Sequence, residues 1–178
     1  MATTKWVLDP THSEVNFKIK HLMITNVTGS ITDFSVEAET ESDDFAHVKV
    51  NFKGQLASLT TQNEQRDLHL KGEDFFDIAN YPEISFESTQ TGPKSADGNF
   101  VLIGNLTIKN TTELVQLNVE FGGIAKDPWG NTKAGFKAKG KINRKDYKLM
   151  WSVLTEAGGM VVSDEVEIVI NLELAQAK

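Results

Sequence analysis

The chain has 178 residues, 39 % of them aliphatic or aromatic and 24 % charged, with 18 Lys and Arg against 25 Asp and Glu for a net charge of −7. That size and make-up suit one globular domain over residues 1–178, large enough to enclose a core. The lack of Cys excludes disulfides, thiolate zinc sites and cysteine nucleophiles; no apolar run nears the roughly 20 residues of a membrane-spanning helix; and the acid surplus argues against nucleic acid as the main partner.

Along the chain the dominant period is two. Lys5–Leu8 reads as a first strand, closed by the turn signal Asp9-Pro10. Val15, Phe17 and Ile19 then alternate with Glu14, Asn16, Lys18 and Lys20, and Asn26 to Gly29 reads as a turn. Phe34, Val36 and Ala38 continue the alternation, followed by Val48, Val50 and Phe52. From Thr61 to Pro82 it stops: Gln62–Lys71 reads as a short polar helix, followed by the compact turn Asp74-Phe75-Phe76-Asp77. It resumes in Ile84 and Phe86, passes the turn Ala96–Asn99, and returns in Val115, Leu117, Val119 and Phe121. Gly122-Gly123 and Asp127–Gly130 mark further turns. Phe136, Ala138, Gly140 and Ile142 face one way and Lys137, Lys139 and Lys141 the other. Asn143–Leu149 interrupts again with room for a helical turn, Gly158-Gly159 marks another turn, and Val166, Ile168, Ile170, Leu172 and Leu174 form the longest stretch.

Strict alternation marks strands with one dry and one wet face, which belong to antiparallel sheets. Eight or nine such strands leave a sandwich or a closed barrel. Closure removes sheet edges, and an eight-stranded barrel is just wide enough for side chains or one small ligand. An all-β barrel with one or two short helices is the expected fold. Ten Phe against two Tyr and three Trp indicate a dry interior; composition does not decide whether it is filled or hollow. Four residues before the first strand cannot carry an export signal, and Met1-Ala2 reads as a native start, so the expected location is cytoplasmic, or periplasmic or secreted if a signal has been removed.

Four His (His12, His21, His47 and His69) include no His-x-x-x-His pair, so neither a metal nor another cofactor is expected. His21 follows Ile19 by parity and should face the dry side, where a polar ring needs a partner in the protein or on a ligand. Arg66, Asp67, His69 and Asp74 could form a base, its orienter and an anion clamp. Without an activated nucleophile or a phosphate loop, a structural network tying the excursion to the barrel is the better reading. Residues 133–148 carry seven basic side chains (Lys133, Lys137, Lys139, Lys141, Arg144, Lys145 and Lys148) and one acid, Asp146. Their alternation predicts an outward strip, either a solvated face or a transient contact with an anionic membrane surface.

Together the motifs resemble the YceI-like family of polyisoprenoid-binding proteins. They open with Trp6-x-Leu8-Asp9-x-x-His12-Ser13-x-Val15-x-Phe17-x-Ile19-x-His21. Asn63-x-x-Arg66-Asp67-x-His69-Leu70 and Asp74-Phe75-Phe76-Asp77 follow, then Tyr81-Pro82-Glu83-Ile84-Ser85-Phe86-Glu87-Ser88 and Gly104-x-Leu106-Thr107-Ile108. Ile142-Asn143-Arg144-x-Asp146-Tyr147 and Val166-x-Ile168-x-Ile170 complete the set. Asn110 and Lys148 stand where members often have Gly, and Leu149-Met150 precede Trp151. The resemblance implies a lipocalin-like, eight-stranded antiparallel barrel around a long apolar cavity for an isoprenoid or other long-chain lipid, and a homodimer.

On that basis Phe17, Ile19, Phe75, Phe76, Phe86, Phe136 and Trp151 are expected to line the cavity, and His21, Arg66 and His69 to meet the lipid head. A carrier or sequestering protein without catalysis is the leading expectation. The alternatives are an enzyme acting on a lipid or small amphiphile, with His69 or His21 as general base, and a scaffold whose cavity is vestigial.

Overall fold

A computed structural model describes residues 3–22, 24–41, 44–150 and 162–177. The strands are β1 (Thr3–Leu8), β2 (Glu14–His21), β3 (Thr25–Ile31), β4 (Phe34–Glu41), β5 (Asp44–Gln55), β6 (Leu59–Thr60), β7 (Glu83–Thr91), β8 (Phe100–Ile108), β9 (Thr111–Lys126), β10 (Thr132–Asn143) and β11 (Val162–Gln176), with one helix, α1 (Glu64–Lys71). Every pairing is antiparallel. β1, β4, β5, β7, β8, β9, β10 and β11 form a ring, closed by β11 returning to β1. This is the expected eight-stranded barrel.

The edge of β11 that faces away from β10 has two partners. Residues 174–176 pair with β1, and the stretch from Val162 to Asn171 pairs with β2. The step between them is made at Glu173, whose carbonyl accepts from Asp9 N at 2.9 Å and whose N–H donates to Ser13 Oγ at 2.9 Å. The Asp9-to-Ser13 segment thus satisfies the strand edge it passes over. β2 carries β3, and β3 carries the two-residue β6, so three extra strands widen the wall at one end.

The two ends of the barrel differ. At the β1 end, Phe45 sits among Trp6, Phe121 and Phe136, with ring centroids 5.2, 5.6 and 4.8 Å away. Trp6 is fully buried, and its indole N–H donates to Thr40 Oγ1 at 3.0 Å, which meets the need of a buried polar tip. This aromatic cluster plugs that end. At the other end the β2–β3 hairpin, β6 and α1 stand around an opening. Asn63 caps α1, accepting from Arg66 N at 3.0 Å. No α1 residue is fully buried; Leu70 packs with Phe76 against Ile31, Leu56 and Leu59.

Several expectations are corrected. There are eleven strands among the described residues, because the alternation above passes over β8, Asn26–Gly29 is not a turn but part of β3, and β6 is only two residues long. The hairpin turn falls at Leu22, whose φ is 53°. Gly122-Gly123 lies inside β9, where pairing with β10 slips at Gly135/Phe136 and Gly123 has φ 105°. The helix starts at Glu64 rather than Gln62, and Arg144–Tyr147 forms a 3-10 turn.

The basic strip is smaller than expected. Lys133 is half-buried and tied up on the outer face, its Nζ 2.6 Å from Asp9 Oδ2, and Arg144 belongs to the interior, 1 % exposed. Lys137, Lys139 and Lys141 do face outward, but the register sets Glu120 beside Lys137 and Glu167 beside Lys141, and Glu165 is 3.5 Å from Lys141. The face is mixed in charge.

Candidate functional site

The barrel is hollow. Inward side chains from β2, β3, β4, β5, β7, β8, β9, β10 and β11 surround a cavity of about 340 Å³, and α1 and the Asp74–Asp77 turn meet it at the open end. Its volume falls in the range typical of small-molecule sites, roughly 300–1,000 Å³. The lining is aliphatic and aromatic apart from Asn16, His21, Arg66, His69 and Arg144. No Asp or Glu lines it among the described residues, although the chain as a whole is acidic.

Nine of the ten residues expected at the site come together on this cavity: Phe17, Ile19, His21, Arg66, His69, Phe75, Phe76, Phe86 and Phe136. The tenth, Trp151, lies outside the described residues. Phe17, Ile19, Phe86 and Phe136 are there because strand parity turns them inward, and Phe75 and Phe76 because the turn after α1 folds onto the open end. Arg66 and His69 are there because one helical turn separates them on a single face of α1.

Arg66 is held by the protein without being neutralised. Its Nε donates to Thr61 Oγ1 at 2.8 Å and its Nη2 to Thr61 O at 2.7 Å. The Thr61 hydroxyl and N–H in turn donate to Asp67 Oδ1. No carboxylate lies within ion-pair distance of the guanidinium among the described residues. The structural network read from the sequence is therefore real for Arg66 and Asp67, and it orients the cation instead of cancelling it. His69 Nε2 is 2.9 Å from Asp74 Oδ2, and its ring meets Phe75 edge-on at 5.2 Å between centroids. The pair is open to solvent, with the His69 side chain 41 % exposed. His21 is half-buried at the end of β2, and no described residue hydrogen-bonds its ring.

Arg144 is the site residue that alternation misplaced. Its guanidinium donates to Leu149 O, to Ser163 O at 2.9 Å and to Val162 O at 3.4 Å, with Asp164 Oδ1 at 3.7 Å. Burial pulls its pKa below that of a free guanidinium, and Asp164 opposes the shift. The usable signal is the Ile142-Asn143-Arg144 step: the strand ends at Asn143, whose side chain caps the following turn by accepting from Lys145 N at 3.0 Å. Strand parity stops applying there. Beside it Tyr147 is buried with no partner for its hydroxyl among the described residues, and desolvation pushes its pKa up to about 12.

A second charged group lies at the plugged end. His12 Nδ1 is 2.9 Å from Asp9 Oδ2 and 3.2 Å from Glu173 Oε2. Asp9, His12 and Glu173 are close enough to ligate a metal ion, yet the Lys133 ammonium already sits on the shared Asp9 oxygen. The bonds from Lys133 and then His12 hold the Asp9 carboxyl far below the usual carboxylate range; Asp9 raises both partners.

A closed eight-stranded antiparallel barrel with one plugged end, one open end and a hollow apolar interior places the chain in the class of lipocalin-like barrels. Comparison with known proteins narrows it. The family model of the YceI-like domain matches residues 6–174. A UPF0312 protein of Staphylococcus aureus is 36 % identical over 173 residues, covering 97 % of this chain and 98 % of its own. The crystal structure of the Campylobacter jejuni YceI protein superposes with a TM-score of 0.76 at 33 % identity, over 96 % of this chain and 97 % of that one. A polyisoprenoid binding domain from Saccharophagus degradans shares the fold, with a TM-score of 0.68 at 16 % identity over 97 % and 98 % of the two chains. The chain belongs to the YceI-like family.

Proposed function

We propose that the protein carries or sequesters a long-chain, isoprenoid-type amphiphile, and does no chemistry on it. The hydrocarbon lies in the cavity and the head group lies at the open end, within reach of His21, Arg66 and His69. One observation carries the reading: an apolar cavity of about 340 Å³ that, among the described residues, is lined by arginines but by no carboxylate. Burying hydrocarbon there stabilises the complex by roughly 0.8 kcal/mol per CH₂ at best, before ordering costs. An uncompensated Arg66 favours an anionic or strongly hydrogen-bond-accepting head. The Saccharophagus degradans domain, described as polyisoprenoid binding, supports an isoprenoid chain. Loading from an anionic membrane surface belongs to the same reading, and the open end, not the lysine strip, is where it takes place.

Native mass spectrometry and organic extraction of protein purified from its own host test this. A bound long-chain amphiphile is expected. His21→Ala should weaken rebinding several-fold, consistent with one hydrogen bond worth about 0.5–1.5 kcal/mol, while Phe86→Asp should abolish it. An empty protein returns the cavity to a vestige. Chemically altered lipid that disappears with His69→Ala makes the protein an enzyme.

A further inference from the structure

Three glycines face the cavity, and each lies beneath a phenylalanine that lines it. Phe17 stands directly opposite Gly29 in the β2–β3 register, so both face inward. A β-carbon on Gly29 would lie 2.2 Å from Phe17 Cζ and 2.6 and 2.8 Å from its two Cε atoms. One on Gly104 would lie 2.6 Å from Phe86 Cζ, and one on Gly54 would lie 3.1 Å from Phe52 Cζ. None of the three has a left-handed backbone, so conformational freedom does not explain them. Glycine inside a strand weakens it and marks a close approach. Here the approaching groups are the rings, each laid against bare backbone.

We propose that Gly29, with Gly54 and Gly104, sets the bore of the cavity, and that this determines how bulky a chain the protein accepts. The inference rests on the carrier reading above. Where an inward side chain replaces the glycine, the ring cannot stay flat and has only the lumen to turn into, since the wall lies behind it. The cavity then narrows while its walls stay apolar. Methyl-branched chains lose most, because branching demands width; unbranched chains fit a narrower bore. Gly29 is the cleanest probe, because the three atoms nearest its missing β-carbon all belong to the Phe17 ring. At Gly104 the Glu87 carbonyl, 2.5 Å away, would also be struck, and the β7–β8 ladder with it.

The test measures equilibrium dialysis of geranylgeraniol, a branched isoprenoid alcohol, and stearyl alcohol, its unbranched counterpart. Gly29→Ala should weaken geranylgeraniol about tenfold or more, the scale of a methyl-sized misfit in an apolar pocket, and stearyl alcohol much less. Gly29→Ala combined with Phe17→Leu should restore the branched alcohol, which damage to the sheet would not allow. A crystal structure of Gly29→Ala, solved without ligand, should show the Phe17 ring turned into the lumen. Equal binding of both alcohols, a loss that Phe17→Leu does not rescue, or a ring still flat on the wall overturns the proposal. Wild-type protein that binds neither alcohol overturns the carrier reading instead, and the ring position still decides this one. If Gly29→Ala does not fold, Gly54→Ala asks the same question of Phe52, whose ring need give only a few tenths of an ångström.

Discussion

At the residue scale, Asp9 ties four elements together through its carboxylate, its N–H and its place in the chain. Its Oδ2 meets Lys133 of β10 and His12 of the following turn, its N–H meets β11 at Glu173, and it directly follows β1. Because the folded state depresses its pKa, Asp9 stabilises the fold above the ordinary carboxylate range. That contribution is lost as pH falls through its folded value, since the unfolded chain takes up the proton first. His12 has the opposite sign. Its pKa is raised, so its contribution is complete below the ordinary value of 6.5 and fades as pH rises through the raised one. Urea unfolding should therefore show stability falling on the acid side from about pH 4, with a shallower fall as pH rises from about 6.5 through the His12 transition. Asp9→Asn should flatten both slopes; unchanged slopes would place the pH dependence elsewhere.

Residues of one type and one run met different fates, which limits what spacing can say. Lys137, Lys139 and Lys141 obey strand parity and face solvent. Lys133 keeps the same outward parity but is engaged by Asp9, a residue 124 positions away in sequence, which no local pattern encodes. Arg144 lies one residue past the end of β10, where parity ceases. Most of the Phe and Ile lining of the cavity was legible for the converse reason: Phe17, Ile19, Phe86 and Phe136 sit within alternating strands, whereas Phe75 and Phe76 come from the Asp74–Asp77 turn. Arg66 and His69 were legible as a cluster, and only the fold decides that Thr61 orients the arginine while no carboxylate pairs with it.

At the element scale, β3 was hidden by its own function in the wall. Thr25, Val27, Gly29 and Ile31 share its inner face, but only Val27 and Ile31 are large and apolar, and the glycine that accommodates Phe17 reads as a turn signal. The polar helix α1 was legible as a polar run and not from any apolar stripe, and its start was misplaced because Asn63 caps the helix instead of joining it. The turns where this chain departs from its family are explained by backbone. Lys109 and Asn110, at φ 51° and 61°, form a two-residue hairpin loop between β8 and β9 with both residues left-handed, and Lys148 ends its 3-10 turn at φ 65°. Glycine occupies that region without penalty, whereas other L-residues lose about 1–2 kcal/mol, Asn least among them. Lys148→Gly should raise stability by about 1 kcal/mol, net of glycine's greater freedom in the unfolded chain, and Asn110→Gly by less. Thermal or urea unfolding measures both; a loss at Lys148→Gly would mean that its side chain holds the turn.

At the scale of the whole molecule, the two ends of the barrel divide the work. The aromatic cluster around Phe45 fills one end, so on the carrier reading proposed above a hydrophobic ligand would enter and leave by the other. That end carries Ile24, 77 % exposed on the β2–β3 hairpin, and Leu68, 66 % exposed on the outer face of α1. Apolar side chains at the rim of an apolar cavity let a lipid pass from a bilayer without crossing water, which the hydrophobic effect would otherwise oppose. The lysine strip is ill suited to that task, because Glu120, Glu165 and Glu167 interleave with it and leave little net field for salt to screen. Transfer of a fluorescent isoprenoid from phosphatidylglycerol vesicles should therefore vary little as ionic strength rises through about 0.1 M, where the Debye length is roughly 10 Å. Ile24→Asp should slow transfer several-fold without changing affinity for the same lipid in detergent, because it acts on docking and not on the cavity. Lys139→Glu should leave the rate unchanged. The reverse pattern, with a steep salt dependence and a rate lost with Lys139→Glu but kept with Ile24→Asp, would move the membrane contact to the wall of β10 and separate docking from the mouth.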